Sequence, residues 1–422
     1  MPDNKTIIGI RSLLSAIGAT TASTFVGIYG VLLGASAAEM GWLQSSANAI
    51  SNGGQLLWGK ISDRTGSRRI FLISGSLILA GLWAMMPYSD NPVNLIIIYS
   101  MISLFGSMIT VNWFSLIADL SDSSARGKFL SFINNISSAG TIVSLIVMVF
   151  VFGSSFQTNI LIPFLLSSAT YIISSAFLVG LKEERKRSRF DGSLIKTIRK
   201  IKNDPNFFPY FKATNIQGFF WSMAWPMFPI TIVEVMNFDL RTVSLLTIAS
   251  LGVTIIAQTK LGTVNDKTQR PPLIFLNRIM LSMIPLMYAF FHSFLLFILL
   301  EFYSGLLGAL QNIVLNSYLL DIIPSTRRAE YLSIINGFNG MVYLCGALTG
   351  GYLLQYLLSQ FPLITALEYG YLIVFAGRFS SSFLFLKLKE PEKKGRAPLG
   401  LFSILYREKM PGSPSGGTIK MK

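Results

Sequence analysis

Twelve apolar runs, each about as long as a membrane crossing, follow one another along this chain with short polar connections between them. They are Ser12–Leu33, Ala38–Trp58, Ile70–Pro87, Val93–Ala118, Lys128–Phe152, Ile160–Leu181, Phe208–Val233, Val243–Leu261, Pro272–Phe291, Phe294–Leu320, Tyr331–Leu357 and Ile364–Leu386. A helix of roughly 20 apolar residues spans the hydrocarbon core of a bilayer. Peptide groups there must bond within their own segment, so these runs predict helices; barrel strands would be shorter and would alternate in polarity. The expected fold is an all-α polytopic membrane protein of twelve transmembrane helices. Composition agrees, because 13% charged residues is about half the share found in soluble domains.

The net charge of +15 does not point to nucleic acid, because the bases are concentrated in the short connections. That is the distribution that fixes topology, with Lys and Arg on the cytoplasmic side. Alternating the spans from a cytoplasmic N-terminus leaves only Arg241 in an outward connection, beside Glu39, Asp90, Asp239, His292 and Glu368. Both termini are therefore expected in the cytoplasm, with the chain in the plasma membrane. The stretch before Ser12 does not read as a cleavable signal. The single cysteine, Cys345, excludes a disulfide framework, and a lone His292 excludes a histidine metal site. No cofactor or metal is expected, and the chain is read as a monomer whose partners are the lipid bilayer and a small-molecule solute. The domains predicted are a six-helix bundle over 1–181, a basic linker over 182–207, a second bundle over 208–388, and a basic tail over 389–422.

The densest polar stretch is Gly59-Lys-Ile-Ser-Asp63-Arg64-Thr-Gly66-Ser-Arg68-Arg69, which reads as a tight loop between the second and third spans. A degraded copy, Gly262-Thr-Val-Asn-Asp266-Lys-Thr-Gln-Arg270, follows 203 residues later. A second pair, Asp119 to Arg126 and Asp321 to Arg328, recurs at an offset of 202. Two loops repeating at nearly one offset imply two parallel six-helix halves related by an axis along the membrane normal.

With these residues in view, the chain resembles the major facilitator superfamily of secondary transporters. The resemblance rests on Gly59, Asp63, Arg64, Gly66 and Arg68, with Ser67 departing from the family's paired arginines, and on the Asp119…Arg126 junction. It implies two domains around a central cavity, rocking to give alternating access. It also implies that Asp63, Arg64 and Arg68 lock the cytoplasmic side when the cavity opens outward, with Asp266 a weaker counterpart. Asp119 and Asp321 oppose the dipole at helix C-termini and call for a cation; Arg126 and Arg328 are the nearest equivalents.

Polar residues inside spans are functional candidates. In this fold the first, fourth, seventh and tenth helices line the cavity, which nominates Asn112, Trp113, Trp221, Trp225, Ser304, Gln311 and Asn312, together with Asn134 and Asn336 at repeated positions. Each could equally bond a neighbouring helix, at about 0.6 kcal/mol. Glu301 is a proton-coupling site or a wetted residue of the outer vestibule, and Glu234 lies nearer the boundary. Arg278 is expected to snorkel inward, whereas Arg378 needs a partner and is either an anion-binding residue or an interhelical strut. Gly54-Gln-Leu-Leu-Trp-Gly59-Lys60 nearly spells a phosphate loop, but Ile61 stands where Ser or Thr is required and no strand precedes it. The chain is read as no enzyme: a lipid-directed enzyme would need a clustered acid, histidine or metal set. The residues support a secondary transporter of a small organic solute, with protons as a candidate coupling ion. A transporter-like sensor without net transport is the alternative.

Overall fold

A computed structural model describes residues 4–65, 67–120, 126–152, 160–181, 201–324 and 328–391. Twelve helical spans run through these residues. The first six are α1 (Asn4–Leu32), α2 (Ala37–Thr65), α3 (Arg68–Met85), α4 (Pro92–Leu120), α5 (Arg126–Val151) and α6 (Leu161–Val179). The seventh, α7, is broken: a helix over Phe207–Met223, a short helix over Met227–Ile230, and a π-helical turn over Thr231–Val235. Then come α8 (Leu240–Lys267), α9 (Arg270–Phe290) and α10, which runs from Phe294 to Ile322 through a π-helical turn at Gln311–Leu315. The last two are α11 (Arg328–Gln360) and α12 (Leu363–Ser382), which ends in a 3-10 turn, Phe383–Lys387.

Ten of these spans are long and apolar enough to cross a membrane by hydropathy alone. The two that fall short do so for visible reasons. Helix α2 carries Gln44, Asn48, Asn52 and Gln55 on one face, and α7 is interrupted. The break in α7 follows from Ala224-Trp225-Pro226-Met-Phe-Pro229: neither proline has an N–H, so the i to i−4 ladder stops before Pro226. Trp225 instead bonds back three residues, to the Ser222 carbonyl.

The repeat inferred from two loops extends to the packing. In the first half α1 packs on α5 and α6, α3 on α4 and α6, and α2 on α4. In the second half α7 packs on α11 and α12, α9 on α10 and α12, and α8 on α10, which is the same set displaced by six helices. Two pairs join the halves in symmetric fashion, α2 with α11 and α5 with α8.

The α2–α11 contact is made by small residues. A Cβ added at Gly351 would lie 2.6 Å from the Ala37 carbonyl oxygen and 3.0 Å from the Gly41 Cα, so backbone meets backbone there. Further along, Gly340 lies against Asn52, so the polar face of α2 looks at protein as its spacing required. Gly27 of α1 meets Pro229 of α7. Trp42 donates its indole N–H to the Tyr352 hydroxyl at 3.2 Å. Because α1 and α7 end, and α2 begins, on the side opposite residues 59–69, these contacts run from that side to the middle of the bundle.

The stretch from Gly59 is mostly helix and not loop. Helix α2 continues through Thr65, and α3 starts at Arg68 with Ser67 extended at its N-cap. Nothing before Gly66 breaks a helix, and the Ser62 and Thr65 hydroxyls bond back to carbonyls of their own turn. Helix α8 likewise continues to Lys267.

Candidate functional site

The second half holds a chamber of about 320 Å³ between α7, α9, α10 and α12. Its wall combines Trp221, Trp225, Phe228 and Tyr288 with Glu301, Ser304, Gln311 and Arg378. A smaller chamber of about 190 Å³ adjoins it and shares Trp221 and Gln311; Tyr210, Gln217, Arg278, Asn336, Asn339 and Tyr343 are among its other walls. Apolar faces with a few converging polar groups are the usual make-up of a small-molecule site.

The irregular backbone of α7 and α10 shapes this site. This helix of α7 ends at Met223, so the carbonyls of Phe220 and Trp221 belong to its last turn, where intrahelical donors run out. Arg378 of α12 supplies them: its Nε donates to the Phe220 oxygen at 3.3 Å and one terminal nitrogen to the Trp221 oxygen at 2.6 Å. A cation there also suits the negative end of the helix dipole. The guanidinium carbon sits 4.7 Å from the centre of the Trp221 ring, adding a cation–π contact. Arg378 is thus a cap on a broken helix as well as a wall of the chamber, and these contacts are those of a strut. The π-turn in α10 starts at Gln311, which with Trp221 is shared by both chambers. Such turns swing a side chain out of register and recur where helices carry function.

Glu301 lies two turns into α10, with Ser250 of α8 within reach of its carboxylate. The helices touch there, because a Cβ at Gly305 would strike the Ser250 backbone. Among the described residues no ion pair joins Glu301 to an arginine.

Of the cavity candidates named from sequence, Trp221, Trp225, Ser304, Gln311 and Asn336 come together in these two chambers, beside Glu301. The others lie elsewhere. Asn112 is fully buried and donates its amide to the Met108 carbonyl of its own helix. Trp113 has its ring face covered by Arg11, whose guanidinium carbon is 3.8 Å from the ring centre. Asn134 and Asn312 are exposed. Arg278 does not snorkel: it is buried, 6% exposed, because α9 begins at Arg270 and places it two turns inside.

At the loop ends, Arg68 is buried and donates to the Ser62 hydroxyl at 2.8 Å, Arg64 is exposed, and Gly59 rests in ordinary contact with Val111. Gly66 and the surroundings of Asp63, Asp119, Arg126, Gly262, Asp266 and Arg328 lie outside the described residues. Asp321 pairs with Arg270 at 2.5 Å, both groups nearly buried. Arg270 starts α9 as Arg68 starts α3, which identifies it as the counterpart of Arg68. The second copy is one residue shorter, Gln269 standing where the first has Gly66 and Ser67, and that deletion hid the equivalence.

Sequence reasoning passed over Arg11, Phe228 and Tyr288. Arg11 resembled a terminal anchor because the apolar run starts after it, yet α1 begins at Asn4 and buries it. Aromatic residues within apolar runs carry no mark separating cavity walls from lipid-facing rings.

One family model matches the chain twice, over residues 8–216 and 210–411. Its description is Major Facilitator Superfamily. The chain belongs to the Major Facilitator Superfamily. Solved structures agree in fold. The nucleoside transporter NupG superposes with a TM-score of 0.73 at 15% identity, covering 91% of this chain and 98% of that one. The D-xylose–proton symporter gives 0.68 at 16% identity over 92% and 98%. An inward-open xylose transporter XylE from E. coli gives 0.64 at 16% identity over 93% and 97%. No curated protein matches this superfamily member in sequence.

Proposed function

We propose that this superfamily member moves a small organic solute by alternating access, that the chambers among α7, α9, α10, α11 and α12 hold the solute, and that Glu301 carries the coupling proton. The observation that carries this reading is the wall of the larger chamber, where four aromatic residues and an acid, an amide and a hydroxyl converge next to a break in α7. Stacking faces with few polar groups suit a solute with a planar or ring-shaped body. A nucleoside transporter and a D-xylose–proton symporter share the fold, which is compatible with a polar ring compound and with protons as the driving ion.

The α2–α11 and α1–α7 contacts supply the gate. On the positive-inside distribution, residues 59–69 face the cytoplasm, so the closed side is external and the cavity of this state opens inward. We read the chain as a plasma-membrane monomer with both termini cytoplasmic. Rocking outward would separate Gly41 from Gly351 and bring the Arg68 and Arg270 ends together.

The test is access to the chamber. In a Cys345→Ser background, a cysteine at Ser304 should label with an impermeant thiol reagent from the cytoplasmic side. Adding Gly351→Val places methyl groups against the Ala37 carbonyl and should shift labelling to the outer side. Equal labelling from both sides, unaffected by Gly351→Val, would remove alternating access as the mechanism.

A further inference from the structure

A guanidinium taken out of water costs several kcal/mol unless hydrogen bonds or an opposite charge compensate it. Arg11, Arg278 and Arg378 are all buried in the spans. Among the described residues none of the three meets a carboxylate. They differ in how they are satisfied. Arg378 donates to two helix-end carbonyls and stacks on Trp221. Arg11 lies over the Trp113 ring, outside the chambers described above. Arg278 alone combines an incomplete set of partners with a place in a chamber wall.

Its hydrogen bond is a long one, 3.4 Å from a terminal nitrogen to the Gln311 amide oxygen. Its Nε is buried with no partner, and the guanidinium carbon lies 5.4 Å from the Phe385 ring centre. The surrounding wall holds the Tyr210 and Tyr343 phenols and the Gln217, Asn336 and Asn339 amides, all able to donate, and no acid. The Asn339 amide oxygen is likewise buried without a partner. A positive charge facing neutral donors is what an anion needs; a neutral solute would leave that charge uncompensated.

We propose that Arg278 binds a negatively charged group of the solute, a carboxylate or a phosphate, so that the transported compound is a small organic anion. The guanidinium fork takes the anion's two oxygens, and Gln311 gives up its weak bond. The planar body of the same molecule then passes Trp221 into the larger chamber. This assignment rests on the transport reading above, and deepens it by giving the solute a charge.

The test uses the purified full-length protein with four probes of one size: benzoate, phenyl phosphate, benzamide and benzyl alcohol. Tryptophan fluorescence quenching and thermal shift report binding. Expected is at least ten-fold tighter binding of one anionic probe than of both neutral ones, and the better of benzoate and phenyl phosphate identifies the group. Arg278→Gln should erase the preference, and Arg278→Lys should keep it with several-fold weaker binding. Where Arg278→Gln does not fold, Arg278→Lys decides, and anion binding there as tight as in the unaltered protein would overturn the assignment. Neutral probes binding as well as anions, no binding by any probe, or a preference surviving Arg278→Gln would overturn the assignment. An anion preference in a protein that shows no flux in proteoliposomes would instead defeat the transport reading alone, and flux of neutral solutes indifferent to Arg278→Gln the anion site alone.

Discussion

The two halves share one packing plan but differ in their central helices. In the first half α1 and α4 are unbroken over 29 residues each, and the cavity beside them is lined by Ser15, Asn48, Ser51, Tyr99, Ser103 and Thr110, with no charged group. In the second half the equivalent helices α7 and α10 are both irregular, and the chambers there carry Glu301, Arg278 and Arg378. Irregular backbone at membrane depth is tolerated only where protein or a cavity satisfies its polar groups, and Arg378 does that for α7. Duplication of a fold need not duplicate its chemistry: the second-half chambers carry charged side chains, and the first-half cavity has a regular, uncharged wall.

Six substitutions bear on this asymmetry. The largest effect is expected from Glu301→Gln, which should abolish gradient-driven accumulation while leaving exchange intact; Ser103→Ala in the first-half cavity should change accumulation by less than two-fold. Counterflow and accumulation in proteoliposomes separate the two, and a Glu301→Gln protein that still accumulates would place the coupling elsewhere. Next is Arg378→Gln, which leaves two helix-end carbonyls short of donors, each worth about 1–3 kcal/mol. Thermal unfolding should show a clear loss, and an unchanged midpoint would mean the break in α7 needs no cap.

Asp321→Asn compares the two loop ends. It removes the carboxylate charge facing the buried Arg270 and should cost about 3 kcal/mol. Ser62→Ala, at the end held by Arg68, removes one hydrogen bond to a charged group and should cost about 1.5 kcal/mol. Equal costs would erase the distinction between the ends. Smallest is Asn312→Ala: its side chain is exposed, one residue past the chamber-lining Gln311, so substrate affinity should stay within two-fold. A larger fall would bring Asn312 into the site.

The sequence made the spans legible because hydrocarbon thickness imposes a length that few soluble segments meet, and the polar face of α2 announced a protein neighbour. The repeat was readable from two loops, and the superfamily from Gly59 to Arg68. The site was legible only in part. Trp221, Trp225, Ser304 and Gln311 stood out as polar or indole groups at helical spacing on α7 and α10. The partner of Arg378 was not visible, because backbone carbonyls become acceptors only once Pro226 has stopped the helix. The Arg270–Asp321 pair was hidden by a one-residue deletion, and the burial of Arg11 by its position ahead of an apolar run.

Flux decides whether a solute passes through the second-half chambers. Purified protein in proteoliposomes should be given labelled nucleosides, pentoses and small organic anions, with proton and sodium gradients imposed in turn. Saturable flux of at least one class is expected, driven by the proton gradient and lost in Trp221→Ala, whose ring joins the two chambers. Flux that persists unchanged in Trp221→Ala, or no flux of any class from folded protein, would rule out passage through these chambers.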